Sequence, residues 1–218
     1  MFLGHFGLAF AAKKVAPKPS LGTLVLAAQL ADGLWPILLL LGIERVAIVP
    51  GITAATPLDF ISYPWSHSLV ADVAWAAAFA LIYWTLRRDA AGALWLAALV
   101  LSHWVLDALS HRPDMPTWPG GPKVGAGLWY SLPASMIAEF ALYAVGVWLY
   151  LRATRARDRW GAALWWAFVA TLAALYVASV FGPPPPSVDA LAASALAGWL
   201  FVAWGYWIDR HREAVTSG

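Results

Sequence analysis

The sequence predicts an all-α membrane protein, a polytopic bundle of about six transmembrane helices with a short helix at its N-terminus. Of the 218 residues, 61% are hydrophobic and only 12% are charged, whereas soluble domains carry about 25% charged residues. The mean hydropathy is +0.67. Six apolar windows reach the roughly 20 residues that a helix needs to cross a bilayer. We therefore expect one integral membrane domain over residues 1–218.

Each predicted element follows from its own segment of sequence. The first twelve residues are too short to cross a bilayer, so they are predicted as an interfacial or re-entrant helix. Serines before the apolar runs are predicted N-caps, namely Ser20, Ser66, Ser131 and Ser187. Pro36 predicts a kink in the first span, and residues 44–65 and 112–130 are predicted as longer loops. The six spans are 21–43, 67–86, 90–109, 132–151, 162–181 and 188–208.

The distribution of lysine and arginine predicts how the bundle is oriented. Eleven of these residues flank the spans on one side and only Arg45, Arg112 and Lys123 flank them on the other. By the positive-inside rule, both termini lie on the cytoplasmic side of the membrane and the two longer loops face outward. The net charge of +2 comes from these flanks and not from a basic patch. Nucleic-acid binding is therefore not expected.

The most informative polar group is a stripe on the third span. His103, Asp107 and His111 are four residues apart, and each such step turns only about 40° around a helix, so the three share one face. Ionisable groups in hydrocarbon are expensive and usually functional. The stripe is either part of a metal site or a hydrogen-bond network that holds helices together.

Other spans bring polar groups to a similar depth. His67 is at the outer start of the second span, Asp32 is near the middle of the first, and Glu139 is seven residues into the fourth. We expect these side chains to meet the stripe in the outer half of the bundle. Asp72 points away from the face of His67, so its role is supporting or structural.

These residue types suggest divalent metal chemistry. The chain has no cysteine, so ligands must be imidazoles and carboxylates, which suit zinc most readily and manganese as a second choice. A metal-bound hydroxide would be the nucleophile, with Asp107 or Glu139 accepting a proton. Arg112 could clamp a phosphate, or it could pair with Asp114 at the surface. Besides Arg112, we expect Ser68 to contribute to substrate binding.

Taken in order, several short motifs resemble a bacterial family of inner-membrane-associated, metal-dependent hydrolases, which is distantly similar to zinc-dependent phospholipase C and S1/P1-type nucleases. The motifs are Gly4-His5-Phe6-Gly7, Ala31-Asp32-Gly33, Ser66-His67-Ser68 and the His-x-x-x-Asp of His103 and Asp107. They fall within residues 1–140, which form the family-like core, while residues 141–218 supply further helices. The resemblance implies that His5, Asp32, His67, His103 and Asp107 are metal ligands, and the stripe adds His111.

Two functions remain open on the sequence. The first is a membrane-embedded metallohydrolase that acts on a lipid-borne or amphiphilic phosphoester, with the lipid bilayer as its surroundings. The second is a small proton- or cation-coupled transporter that uses the same intramembrane residues as a relay. A transporter is expected to have broken helices in corresponding halves, and Pro36 has no counterpart in the second half, which favours the enzyme. The oligomeric state is not predicted.

Overall fold

Hydrophobic spans account for most of the fold. The structure is a computed structural model that describes residues 1–215. Its helices are α1 Leu3–Ala12, α2 Leu21–Ala28, α3 Leu30–Leu40, α4 Pro64–His67, α5 Leu69–Arg87, α6 Ala90–Ser110, α7 Leu132–Ala153, α8 Arg159–Phe181, α9 Val188–Leu196 and α10 Gly198–His211. By length and hydropathy, α5, α6, α7, α8 and the continuous α9–α10 pair can each cross a membrane, and the bent pair α2–α3 gives a sixth span when it is counted as one. The predicted all-α membrane bundle is confirmed.

The first span is broken at a different residue from the one predicted. Helices α2 and α3 meet at an angle of 56°, and the break is at Gln29 (φ −108°, ψ 12°). Pro36 lies inside α3, which continues to Leu40. Because a proline has no N–H, the carbonyl of Asp32 one turn earlier lacks its helical donor. Pro36 does not interrupt the helix, and the break that the structure shows in this span lies seven residues earlier, at Gln29.

Three of the four predicted helix caps are confirmed. The hydroxyls of Ser20, Ser131 and Ser187 each accept a hydrogen bond from the backbone N–H three residues on. Ser66 is not the cap of the second span. The chain is extended at Ser68 (φ −83°, ψ 148°), so α4 ends at His67 and Ser68 caps α5. The hydroxyl of Ser66 is thereby released for other contacts.

The short N-terminal helix exists as predicted and lies inside the bundle, where most of its residues are buried. It packs closely along α7. A Cβ atom on Gly7 would lie 2.6 Å from the carbonyl oxygen of Leu142, and one on Gly146 would lie 2.6 Å from the Cα of Gly7. The two glycines therefore allow direct contact between the backbones of α1 and α7, as small residues do in membrane helix pairs.

Short antiparallel hairpins order the segments that were expected to be loops. Strand β1 Arg45–Ile48 pairs with β2 Leu58–Ser62, and β3 Met115–Pro116 pairs with β4 Lys123–Val124. Both pairs lie at the end of the bundle where α6 ends and α7 begins. At the other end, β5 Thr154–Ala156 pairs with β6 Arg212–Ala214. The first hairpin packs an apolar cluster that includes Trp35, Phe60 and Tyr63 against the end of the bundle.

Candidate metal centre

The carboxylate of Asp107 is the centre of a buried cluster of histidines. Its Oδ1 lies 3.0 Å from Nε2 of His5, and its Oδ2 lies 3.3 Å from Nε2 of His103. Nε2 of His111 and Nε2 of His67 lie 3.7 Å and 3.8 Å from the same Oδ2. The predicted stripe on α6 is therefore present, and α1 and α4 bring two more imidazoles to it.

Asp32 completes the cluster from α3. Its Oδ1 lies 3.4 Å from Nε2 of His67 and 3.7 Å from Nε2 of His103. Two sets of three residues offer ligand atoms within 4.8 Å of one another: His5, His103 and Asp107, and Asp32, His67 and His103. The side chain of Asp32 is 38% exposed, whereas that of Asp107 is 4% exposed. Asp32 therefore forms the accessible edge of the cluster.

In two of the imidazoles, a hydrogen bond on the side of the ring away from Asp107 determines which nitrogen carries the proton. Nδ1 of His103 lies 2.8 Å from the carbonyl oxygen of Ala28, and Nδ1 of His111 lies 2.9 Å from Oδ1 of Asp114. A carbonyl or carboxylate oxygen only accepts hydrogen bonds, so both Nδ1 atoms must donate. Nε2 is then the atom that each ring turns toward Asp107.

A longer network fixes His67 in the same way. Glu44 is 1% exposed, and its carboxylate accepts hydrogen bonds from the backbone N–H groups of Trp65 and Ser66 and from the Ser66 hydroxyl. Because the single hydroxyl proton of Ser66 is given to Glu44, its oxygen must accept from Nδ1 of His67, 2.7 Å away. Nε2 of His67 is again the atom that faces the two aspartates.

The electrostatics of His111 agree with this assignment. His111 and Asp114 lie just beyond the end of α6. Burial lowers the pKa of the His111 imidazole below its ordinary value, and the hydrogen bond to Asp114 opposes this only in part. Burial would raise the pKa of Asp114, but the hydrogen bonds from His111 and Arg112 outweigh it and lower that pKa. A neutral imidazole beside an ionised carboxylate follows.

This arrangement fits a divalent metal ion. Nε2 of His103 is buried and has no hydrogen-bond partner among the described residues. In their neutral forms, His67, His103 and His111 each direct a lone pair at carboxylate oxygens, an arrangement that a cation bound between these atoms stabilises. Histidine ligands usually donate their other ring N–H to a carboxylate or a carbonyl. Imidazole nitrogens with carboxylate oxygens are also the ligand set that zinc and manganese accept.

Glu139 and the amino end of α1 form the neighbouring part of the site. The amino nitrogen of Met1 forms an ion pair with Asp107. Glu139 on α7 accepts hydrogen bonds from the backbone N–H groups of Phe2 (2.8 Å) and Gly4 (2.7 Å). Glu139 thus anchors α1, which carries His5, beside the cluster. Its predicted role as proton acceptor stays a prediction.

The remaining polar residues lie outside the cluster. The guanidinium of Arg112 pairs with Asp59 and, at 2.8 Å, with Asp114, and the Ser68 hydroxyl caps α5. Both therefore have structural partners, and substrate contact by either stays a prediction.

Asp72 is buried, and neither of its carboxylate oxygens has a hydrogen-bond partner among residues 1–215. His211, expected to lie apart, pairs with Asp158 at the far end of the bundle.

A cavity of about 540 Å³ lies against the cluster. The residues that line its polar side are Asp32, His67, Asp107, His111 and Glu139. Trp129 and residues 50–58 of the first hairpin form a second wall, and Tyr176, Ser179, Leu191 and Ser194 from the last helices form a third. The site therefore draws on helices beyond residue 140, although the expected family-like core ended there.

Sequence reasoning missed the residues that orient the ligands. Glu44 was placed in a loop without a role, and Ser66 was interpreted as a helix cap. Both belong to the hydrogen-bond network behind His67. Tyr63, whose hydroxyl donates to Asp114 at 3.2 Å, was also unassigned. One signal was available for Glu44, since an acid directly after an apolar span requires partners.

The comparisons with known proteins concern the family and its location. A family model described as "YdjM inner membrane protein" matches residues 2–182. No curated protein and no solved structure matches the chain. The description gives an inner-membrane location and names no hydrolase, nuclease or transporter activity. With most of its length matched, the chain belongs to the YdjM inner membrane protein family.

Proposed function

We propose that this protein is a membrane-embedded, metal-dependent hydrolase of a lipid-borne or amphiphilic phosphoester. The observation that supports this best is the common orientation of three imidazoles. His67, His103 and His111 each donate through Nδ1 to an outer acceptor and turn Nε2 toward Asp107. Several imidazole nitrogens that face carboxylate oxygens in this way are the ligand arrangement of a zinc or manganese site.

The chain's own residues have distinct roles in this proposal. His5, His103 and Asp107 would hold one ion, and Asp32 with His67 would complete the site at its accessible edge. A bound zinc or manganese ion supplies Lewis-acid catalysis and activates water. Glu139 lines the cavity and is the carboxylate best placed to accept a proton from water there. Tryptophan and proline side chains, among them Trp129 and Pro183, line the outer walls of this cavity.

The proposed orientation follows from the charge asymmetry of the loops. Both termini are cytoplasmic, and the metal site lies near the outer face, under the two hairpins β1–β2 and β3–β4. In this position the cavity adjoins the headgroup region of the outer leaflet. An amphiphile could place its phosphate at the cluster while its chains stay in the bilayer.

Turnover of matched substrates tests the proposal. Purified protein loaded with zinc or manganese is assayed with a long-chain phosphate ester in mixed micelles and with a soluble aryl phosphate. We expect metal-dependent hydrolysis of the long-chain ester, a lower rate with the soluble ester, and loss of turnover in His103→Ala. Comparable rates on both esters contradict the substrate class. Absence of turnover in protein that contains stoichiometric metal contradicts the hydrolase.

The transporter remains the alternative function. In residues 1–215 only one apolar helix pair long enough to form a span, α2–α3, is bent by more than 40° at a short break, and the ionisable residues of the cluster lie together at one end of the bundle. Both observations favour the enzyme over a carrier with paired broken helices. Proton or cation uptake into vesicles that contain the protein, lost in Asp32→Asn, would instead support the transporter.

A further inference from the structure

A second, smaller cavity adjoins the metal site. Its volume is about 160 Å³, and it shares Phe2, Asp32 and Trp35 with the large cavity. Apart from Gln29 and Asp32 its walls are apolar, formed by Phe2, Phe6, Leu26, Gly33, Trp35, Ala195, Gly198, Trp199, Phe201 and Val202. Asp32 therefore lies at a boundary, with a cluster of ionisable side chains on one side and an apolar pocket on the other.

The apolar pocket reaches the lipid-facing surface between α3 and α10. Trp199 is 38% exposed there, and its Nε1 donates to the carbonyl of Gly33 across 3.3 Å. No atom lies within 4 Å of the position of a Cβ on Gly198. A Cβ on Gly33 would lie 3.1 Å from the ring of Trp199, so this indole packs directly against α3 at the edge of the pocket. The pocket thus lies beside the surface between α3 and α10, and it shares Phe2, Asp32 and Trp35 with the cavity of the polar site.

We propose that this apolar pocket binds one hydrocarbon chain of an amphiphilic phosphoester, which reaches the metal site laterally from the bilayer between α3 and α10. The inference rests on the proposed function, because the phosphate of the same molecule occupies the large cavity beside Asp32. Burial of apolar surface favours a hydrocarbon chain over any polar occupant of these walls. The pocket is too small for a whole lipid tail, so the rest of the chain stays in the membrane.

Photocrosslinking tests the pocket without depending on turnover. The probe is dodecyl phosphate with a diazirine in the middle of its chain, added to the purified protein in detergent. We expect the label on peptides that contain Gly33 and Ala195–Val202, and we expect excess unlabelled dodecyl phosphate to prevent it. Label spread evenly over the lipid-facing helices would overturn the proposal.

Two matched variants on α9 complete the test. Ala195 lines the pocket, so Ala195→Trp fills it and should reduce labelling at least tenfold. Ala193 is exposed two residues earlier, and Ala193→Trp should label like the parent. Equal labelling of both variants would overturn the proposal that this pocket binds the hydrocarbon chain. Both variants should elute as the parent does and retain its metal content.

The two proposals can fail separately. Pocket labelling that Ala195→Trp removes, in a protein without hydrolytic activity, supports the chain pocket and contradicts the hydrolase. Metal-dependent hydrolysis that is unchanged in Ala195→Trp, without pocket labelling, contradicts the chain pocket and leaves the hydrolase in place.

Discussion

The hydroxyl of Ser66 donates a hydrogen bond to Oε2 of Glu44 across 2.6 Å. The hydroxyl oxygen of Ser66 in turn accepts from Nδ1 of His67 at 2.7 Å, so a carboxylate outside the cluster determines the tautomer of an imidazole inside it. Partners of this kind orient metal ligands and raise their basicity. The relation makes Glu44 a positioning residue that does not itself face the cavity.

Glu44→Gln should weaken metal binding without preventing folding. The amide can donate where the carboxylate only accepted, which reverses the direction of the hydrogen bonds toward His67. We expect metal affinity to fall by about ten- to hundredfold, as is typical when a residue that orients a metal ligand is substituted. Metal titration of the purified variant measures this. Asp189, an exposed acid on α9, provides the control Asp189→Asn, and equal affinities in the two variants would refute the positioning role.

Gly146→Ala should destabilise the bundle. The added Cβ would meet the backbone of Gly7, and backbone atoms cannot move aside as a flexible side chain can. Overpacking of this kind costs about 1–3 kcal/mol. Thermal unfolding in detergent should show a lower midpoint for Gly146→Ala, while Gly198→Ala, which adds a methyl group to open space, should unfold like the parent. A Gly146→Ala protein with the parent's midpoint would mean that α1 and α7 are not so closely packed.

Asp72→Asn should be tolerated. Both carboxylate oxygens of Asp72 are buried without hydrogen-bond partners in residues 1–215, and an unpaired buried carboxylate is costly. Removing its charge should leave stability equal or higher and should lower metal affinity by no more than about a hundredfold. Unfolding midpoints and metal titration of Asp72→Asn beside Asp107→Asn check this. A complete loss of metal in Asp72→Asn would place Asp72 among the ligands.

The predicted orientation can be tested with single cysteines, because the chain has none of its own. Pro122 near β4 and Ala156 in β5 are both exposed and lie at opposite ends of the bundle. In intact cells, a membrane-impermeant thiol reagent should modify Pro122→Cys and not Ala156→Cys. The reverse pattern would place the termini outside and the metal site near the cytoplasmic face.

Features set by local sequence were the ones that could be predicted. Six apolar windows determine six spans, and the four-residue spacing of His103, Asp107 and His111 determines a shared helix face. Ser20, Ser131 and Ser187 are caps because each stands directly before the first residue of its helix. The predicted ligand residues do come together, since each span holds few ionisable groups and these must avoid lipid.

Features that depend on contacts between distant segments could not be predicted. The break at Gln29 has no proline or glycine to mark it. The role of Ser66 depends on Glu44, which is 22 residues away, and on a helix that restarts at Ser68. The walls contributed by Tyr176 and Leu191 depend on how the last helices pack against the first three.

Metal content is the most direct test of the central claim that the cluster around Asp107 is a metal site. The parent, His103→Ala, Asp107→Ala and the distant control His211→Ala are expressed with zinc and manganese supplied, purified as monodisperse protein, and measured by elemental analysis. We expect stoichiometric metal in the parent and in His211→Ala, and less than about a tenth of it in the other two. A metal-free parent, or stoichiometric metal in His103→Ala and Asp107→Ala, would show that the cluster is a hydrogen-bond network.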